Sequence, residues 1–166
     1  MFAAEAPSIS KIFDGQLKDI EGELLPLVEA MPADKFNFAP TGGEFKNVRT
    51  FAQQATHAAA VVYAVSASVL GEKNPTDMGK SENGPAALKT KDDVVKYVKD
   101  AFAYGHKAMA SLTAQNLTGM VKSPFGDGES ARVSMASIAV WHSFDHYGQM
   151  VIYARMNGVV PPASRR

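Results

Sequence analysis

The chain has no cysteine among its 166 residues. This excludes thiolate nucleophiles, thiolate metal ligands and any disulfide framework, so a bound metal would need nitrogen and oxygen donors. A net charge is lacking too: 17 Lys and Arg are balanced by 17 Asp and Glu. No basic stripe argues for nucleic acid. No apolar run approaches the length that crosses a bilayer, and Met1-Phe2-Ala3-Ala4-Glu5-Ala6-Pro7 is too short for a secretion signal. The expectation is a protein that engages neither nucleic acid nor membrane and resides in the cytoplasm. An exported chain whose signal has been removed is the alternative. No glycine-rich phosphate loop follows a strand pattern, and Gly126-Asp127-Gly128 reads as a turn. The serines lack a nucleophile-elbow context, which disfavours a serine hydrolase.

What is present fits one domain spanning residues 1–166, long enough to bury a core without staples. Apolar residues recur every three or four positions from Ile9 through Phe13, Leu17, Ile20 and Leu24 to Met31, predicting a helix from about Ser8 that Pro26 should bend. Asn47 is a plausible N-cap for a second helix reaching Leu70, with an inner stripe of Phe51, Gln54, His57, Val61, Ala64 and Ser68. The breakers between Glu72 and Leu88 mark a long crossover. Thr90-Lys91-Asp92-Asp93 approximates a capping box for a third helix, buried through Val94, Val98, Ala101 or Phe102, Gly105, Ala108 or Met109, and Leu112. An irregular stretch with a short hairpin near Phe125-Gly126-Asp127-Gly128 precedes a fourth helix. Its stripe reads Met135, Ile138, His142, Asp145 or His146, Gln149, Ile152 or Tyr153, and Met156, ending at Asn157-Gly158. Four such segments without a comparable strand pattern predict an all-α four-helix bundle of up-and-down type with long crossover loops.

Chemistry concentrates in the histidines. His142 and His146 are four apart, so on a helix their rings differ by about 40° in direction and about 6 Å in height. His57 falls at a matching depth in the second helix. Three buried imidazoles with no shared partner would each need a separate acceptor, whereas one divalent cation satisfies all three. Such a donor set suits Zn²⁺ or Ni²⁺ and also admits Fe²⁺ or Mn²⁺, and it leaves coordination positions for water or substrate. Asp145 is the candidate catalytic residue: it could orient a ligating imidazole or accept a proton from water at the metal, its bland alternative being a solvated helix acid. Gln149 is placed to hydrogen-bond near the site. Tyr63, Tyr147 and Tyr153 could reach the cavity, although aromatics at helical spacing are more often core, and His106 reads as a surface or packing residue.

These residues resemble the DinB-like family of small four-helix bundles related to bacillithiol and mycothiol transferases. The resemblance rests on Phe36-Asn37-Phe38-Ala39-Pro40-Thr41 before the second helix, on His57, and on His142-Ser143-Phe144-Asp145-His146-Tyr147-Gly148-Gln149 followed by Arg155-Met156-Asn157-Gly158. It implies a crossover between the second and third helices, a metal held at His57, His142 and His146, and a homodimer. Tyr147 stands where the family usually has Arg and Asp145 where many members have His, so substrate and thiol chemistry do not carry over with the ligands. The function expected is metal-dependent hydrolysis, or thiol or other group transfer, on a small-molecule substrate. The competing expectation is a non-enzymatic, stress-related or ligand-binding bundle.

Overall fold

Ser8 starts the first helix, its hydroxyl accepting the Lys11 amide, and α1 runs Ile9–Ala30, continuing a turn past Pro26. The computed structural model describes residues 6–165, so most of the N-terminal segment weighed as a signal remnant, Met1 to Glu5, lies outside the described residues. Helix α2 is Phe51–Leu70, α3 is Lys91–Ala110 and α4 is Arg132–Met156. A small antiparallel hairpin, β1 Met120–Lys122 and β2 Glu129–Ala131, precedes α4. Among the described residues no helix is long and apolar enough to cross a membrane.

The start of α2 differs from the sequence expectation. Thr50, not Asn47, is the N-cap, and it forms a reciprocal capping box with Gln53 that satisfies two otherwise orphaned amides. Asn47 lies in the preceding turn with a positive φ of 65°. The expected box at Thr90 and Asp93 is present, and Asp93 additionally accepts the Lys89 amide.

The helices form a four-membered ring. α1 and α2 each pack against both α3 and α4, which leaves α1 diagonal to α2 and α3 diagonal to α4. Polar contacts give the directions. Lys91, opening α3, donates to the carbonyls of Glu29 and Met31 at the end of α1. Glu72, just past α2, accepts from Tyr104 and Lys107 near the end of α3. Arg132, opening α4, donates to the Val69 carbonyl near the end of α2. So α2 and α3 run parallel, opposite to α1 and α4.

This corrects the up-and-down succession. Directions do not alternate, because segment 71–90 retraces the whole of α2 before α3 begins. A 20-residue helix is about 30 Å long, and an extended chain of twenty residues spans about twice that. The crossover is therefore long because its path requires it. Gly84 (φ 77°) presses this segment onto the bundle: a Cβ there would lie 3.2 Å from Tyr97 and 3.4 Å from Thr56.

The core is built from Leu17, Ile20, Leu24, Leu27 and Val28 of α1 against Phe51, Val65, Val98, Phe102 and Met109. Helix α2, flanked by α3, α4 and the crossover, is buried around most of its circumference. The buried line of α4 is Met135, Ala139, Ser143, His146, Met150 and Tyr153. Ile152 and Met156, expected inside, are exposed. Helix α4 carries apolar residues on two faces, so the predicted stripe includes Met135, His146 and Tyr153 of the buried line together with Ile152 and Met156 of the outer face.

Candidate metal centre

The capping box fixes where α2 begins and so places His57 in its second turn, facing His142 and His146 on the antiparallel α4. His57 and His146 are about 95% buried, and His142 is partly exposed. One nitrogen from each ring lies within 4.8 Å of the other two. The Nε2 atoms of His57 and His142 are 3.1 Å apart. A tetrahedral ion with bonds of about 2.05 Å needs its donors about 3.3 Å apart, so the cluster has the span of a coordination shell.

The outer nitrogens fix which lone pairs face inward. The Glu82 carbonyl, carried back by the crossover, is 2.9 Å from His57 Nδ1. A carbonyl can only accept, so Nδ1 holds the proton and Nε2 the lone pair. For His146 the logic passes through three side chains. The Asp145 carboxylate accepts from Gln149 Nε2 (3.2 Å), Gln149 Oε1 accepts from Gln54 Nε2 (2.9 Å), and Gln54 Oε1 accepts from His146 Nδ1. Because the ionised carboxylate has no proton to give, it sets both amide orientations and leaves the inward Nε2 of His146 bare. Each imidazole with a partner of this kind is held as metal-ligating histidines generally are.

Electrostatics keep the rings neutral. Burial pushes the His57 pKa below its ordinary value against the opposing pull of the Glu82 carbonyl. Burial followed by the neighbouring His57 lowers His142. Burial, then His142 and His57, takes His146 down to about 3. Neutral imidazoles offer lone pairs at pH 7, which is the protonation state a cation requires. The donor set, its span and its outer hydrogen bonds all fit a divalent metal.

Asp145 itself is exposed and reaches the cluster only through Gln149 and Gln54, although its charge opposes the lowering of the His142 pKa. Gln149 lies near the site as expected. Tyr63 packs against Tyr97 and Tyr104 on the α3 side, and Tyr153 meets Phe38 edge-on, both away from the cluster. His106 is held between Asp14 and Glu21 of α1, at 2.6 and 3.0 Å. Two contributors escaped the sequence reading. The role of Gln54 had a signal, since a lone amide in an apolar stripe needs a partner. The Glu82 carbonyl had none, being backbone delivered by a distant loop.

Residues 16–150 match the model of the DinB superfamily. The chain belongs to the DinB superfamily. Two solved structures share its fold. A DinB-like protein from Bacillus cereus superposes with a TM-score of 0.71 at 15% identity, over 92% of this chain and 95% of that one. YfiT from Bacillus subtilis, described as "a probable metal-dependent hydrolase with an unusual four-helix bundle topology", gives 0.63 at 17%, over 96% and 94%. No curated protein matches the sequence. At these identities the likeness carries the DinB fold and not the reaction.

Proposed function

We propose that this DinB-superfamily protein is a metal-dependent hydrolase or a thiol or other group transferase acting on a small molecule, with His57, His142 and His146 holding one divalent cation. Zinc or nickel suits the three imidazoles better than iron or manganese. The supporting observation is the convergence of three neutral imidazole nitrogens within 4.8 Å, two of them backed by acceptors on the outer nitrogen. When bound, the cation would supply Lewis-acid activation of water or a thiol at neutral pH.

The protein's own groups divide the remaining work. Glu82 and Gln54 hold two rings in the tautomer that presents Nε2. Asp145 acts as a positioning residue through Gln149 and Gln54, so removing its charge disturbs His146 before it disturbs any proton transfer. Arg49, held by the Asn83 side chain and the Ser81 carbonyl, sets a positive charge beside the cluster that favours an anionic reacting group. The test is hydrolysis of small ester and amide substrates, and transfer of low-molecular-weight thiols to electrophiles, by zinc- and nickel-loaded protein. Turnover lost in His57→Ala and restored by no added metal supports the reading; equal turnover with and without metal contradicts it.

A homodimer accompanies this proposal. Ile12, Trp141 and Phe144 are exposed on α1 and α4, which run side by side, so one face carries apolar side chains to solvent. Sedimentation at micromolar concentration tests it: a dimer is expected, and a monomer at all concentrations would exclude it. Residence in the cytoplasm is likewise proposed, and fractionation of the native host tests it.

A further inference from the structure

Arg49 stands just before Phe51, the first residue of α2. Its guanidinium reaches across to the crossover, where Nε donates to Asn83 Oδ1 at 2.8 Å and an Nη2–H donates to the Ser81 carbonyl at 3.0 Å. These two acceptors flank Glu82, whose own carbonyl accepts from His57 Nδ1 at 2.9 Å. Among the described residues, Arg49 and His57 alone reach in from outside the crossover to hydrogen-bond with residues 80–83.

That turn needs support from outside. Ser81 and Glu82 both have left-handed backbone, with φ of 56° and 59°, which residues bearing a Cβ keep only where the surrounding contacts over-determine it. The turn's own amide bonds, from Glu82 to the Gly79 carbonyl and from Asn83 to the Lys80 carbonyl, are long at 3.3 Å each. A planar guanidinium offers its donors in one rigid fork, so a single side chain holds Ser81 and Asn83 at once and fixes the peptide between them.

We propose that Arg49 is a positioning residue of the histidine centre: by clamping Ser81 and Asn83 it fixes the Glu82 carbonyl that keeps His57 in the tautomer presenting Nε2, an inference that rests on reading the three histidines as a metal centre. Charge alone would give Arg49 the opposite effect. Behind burial, its positive charge contributes to the lowered pKa of His57, His142 and His146, and it repels a divalent cation for the same reason. Removing the arginine therefore tightens metal binding if only its charge matters, and weakens it if the clamp matters more. The sign of the change separates the two.

Two measurements test the clamp. Long-range proton–nitrogen NMR of the metal-free protein near neutral pH reads the imidazole tautomer, and competition with a chromophoric chelator reads zinc affinity. His57 of the parent is expected with its proton on Nδ1. Arg49→Gln, and Asn83→Ala, which leaves the arginine's charge in place, should each shift His57 toward a mixture of tautomers and bind zinc roughly tenfold more weakly, the low end for loss of an outer partner. Arg49→Lys, which keeps the charge and loses the fork, should also bind zinc more weakly than the parent. Unchanged or tighter zinc binding by Arg49→Gln, parent affinity in Arg49→Lys, or a His57 that keeps its proton on Nδ1 in Arg49→Gln overturns the proposal. If the parent itself binds no zinc, the metal reading fails instead, and the tautomer alone decides the clamp: a mixture in Arg49→Gln supports it, and an unshifted tautomer overturns it.

Discussion

His57 and Glu82 are 25 residues apart in sequence, and the side chain of the first donates to the backbone carbonyl of the second at 2.9 Å. This one bond makes the parallel arrangement of α2 and α3 part of the site, because only a crossover that retraces α2 brings Glu82 to that position. Ser81 and Glu82 hold the turn with φ of 56° and 59°, a left-handed pair that costs non-glycine residues about 1–2 kcal/mol each. Since the contact is through backbone, Glu82→Gly is expected to keep full metal stoichiometry and raise stability by up to about 1 kcal/mol. Calorimetry with metal analysis checks this; loss of metal would show that the Glu82 carboxylate, and not its carbonyl, matters.

The amide chain behind His146 makes a graded prediction. Gln54→Leu strands a buried imidazole N–H and should cost about 1–3 kcal/mol in stability and about 10- to 100-fold in metal affinity. Asp145→Asn should cost less affinity, because an amide at 145 relaxes the orientation of Gln149 without removing a buried partner. Competition titrations with a chromophoric chelator read both, and an Asp145→Asn loss equal to Gln54→Leu would mean that Asp145 acts directly.

His106 titrates in the opposite sense to the cluster. Although burial works against it, the hydrogen bonds and charges of Glu21 and Asp14 raise its pKa. The stability that this bridge contributes is fully present below the unfolded value of about 6.5 and is lost as pH rises through the raised folded value. The deficit of His106→Ala relative to the parent should therefore be larger at pH 5 than at pH 9, in urea melts of metal-free protein. A deficit independent of pH would mean that the ring serves only as packing.

For the three clustered histidines the sign reverses. Their folded pKa values are depressed, so the metal-free protein should lose stability as pH falls from about 6.5 toward the value of about 3 at His146. Metal retention should also decline only below about pH 6.5, since protons compete for lone pairs that are already free above it. Melts of metal-free protein from pH 3.5 to 7.5, compared with His146→Ala, measure this. A flat difference between the two would remove the coupling of His146 to folding.

Much of the fold was legible because it is local. The Thr90 and Asp93 box, the end of α2 at Leu70 and the hairpin before α4 all follow from residues within a few positions of one another. The start of α2 was misplaced because Asn47 and Thr50 are both good caps, and the decision turns on the Gln53 side chain folding back. The parallel run of α2 and α3 was half legible: the breakers between Glu72 and Leu88 mark a crossover, but loop length alone does not state its direction. At the site, the histidine cluster was visible as residue types at helical spacing, since i and i+4 on one helix fix two rings. Its supports were only half visible: Gln54 and Gln149 are side chains on those same stripes, whereas the Glu82 carbonyl belongs to a turn whose position depends on the whole crossover.

The central claim is one divalent cation on three histidines, and metal content measures it most directly. Protein purified without an affinity tag, equilibrated with zinc or nickel and exhaustively dialysed, should retain about one equivalent per chain by mass spectrometry. His57→Ala, His142→Ala and His146→Ala should each retain little, and His106→Ala should retain as much as the parent. A parent protein that emerges metal-free, or one whose metal survives all three cluster substitutions while His106→Ala loses it, would contradict the account.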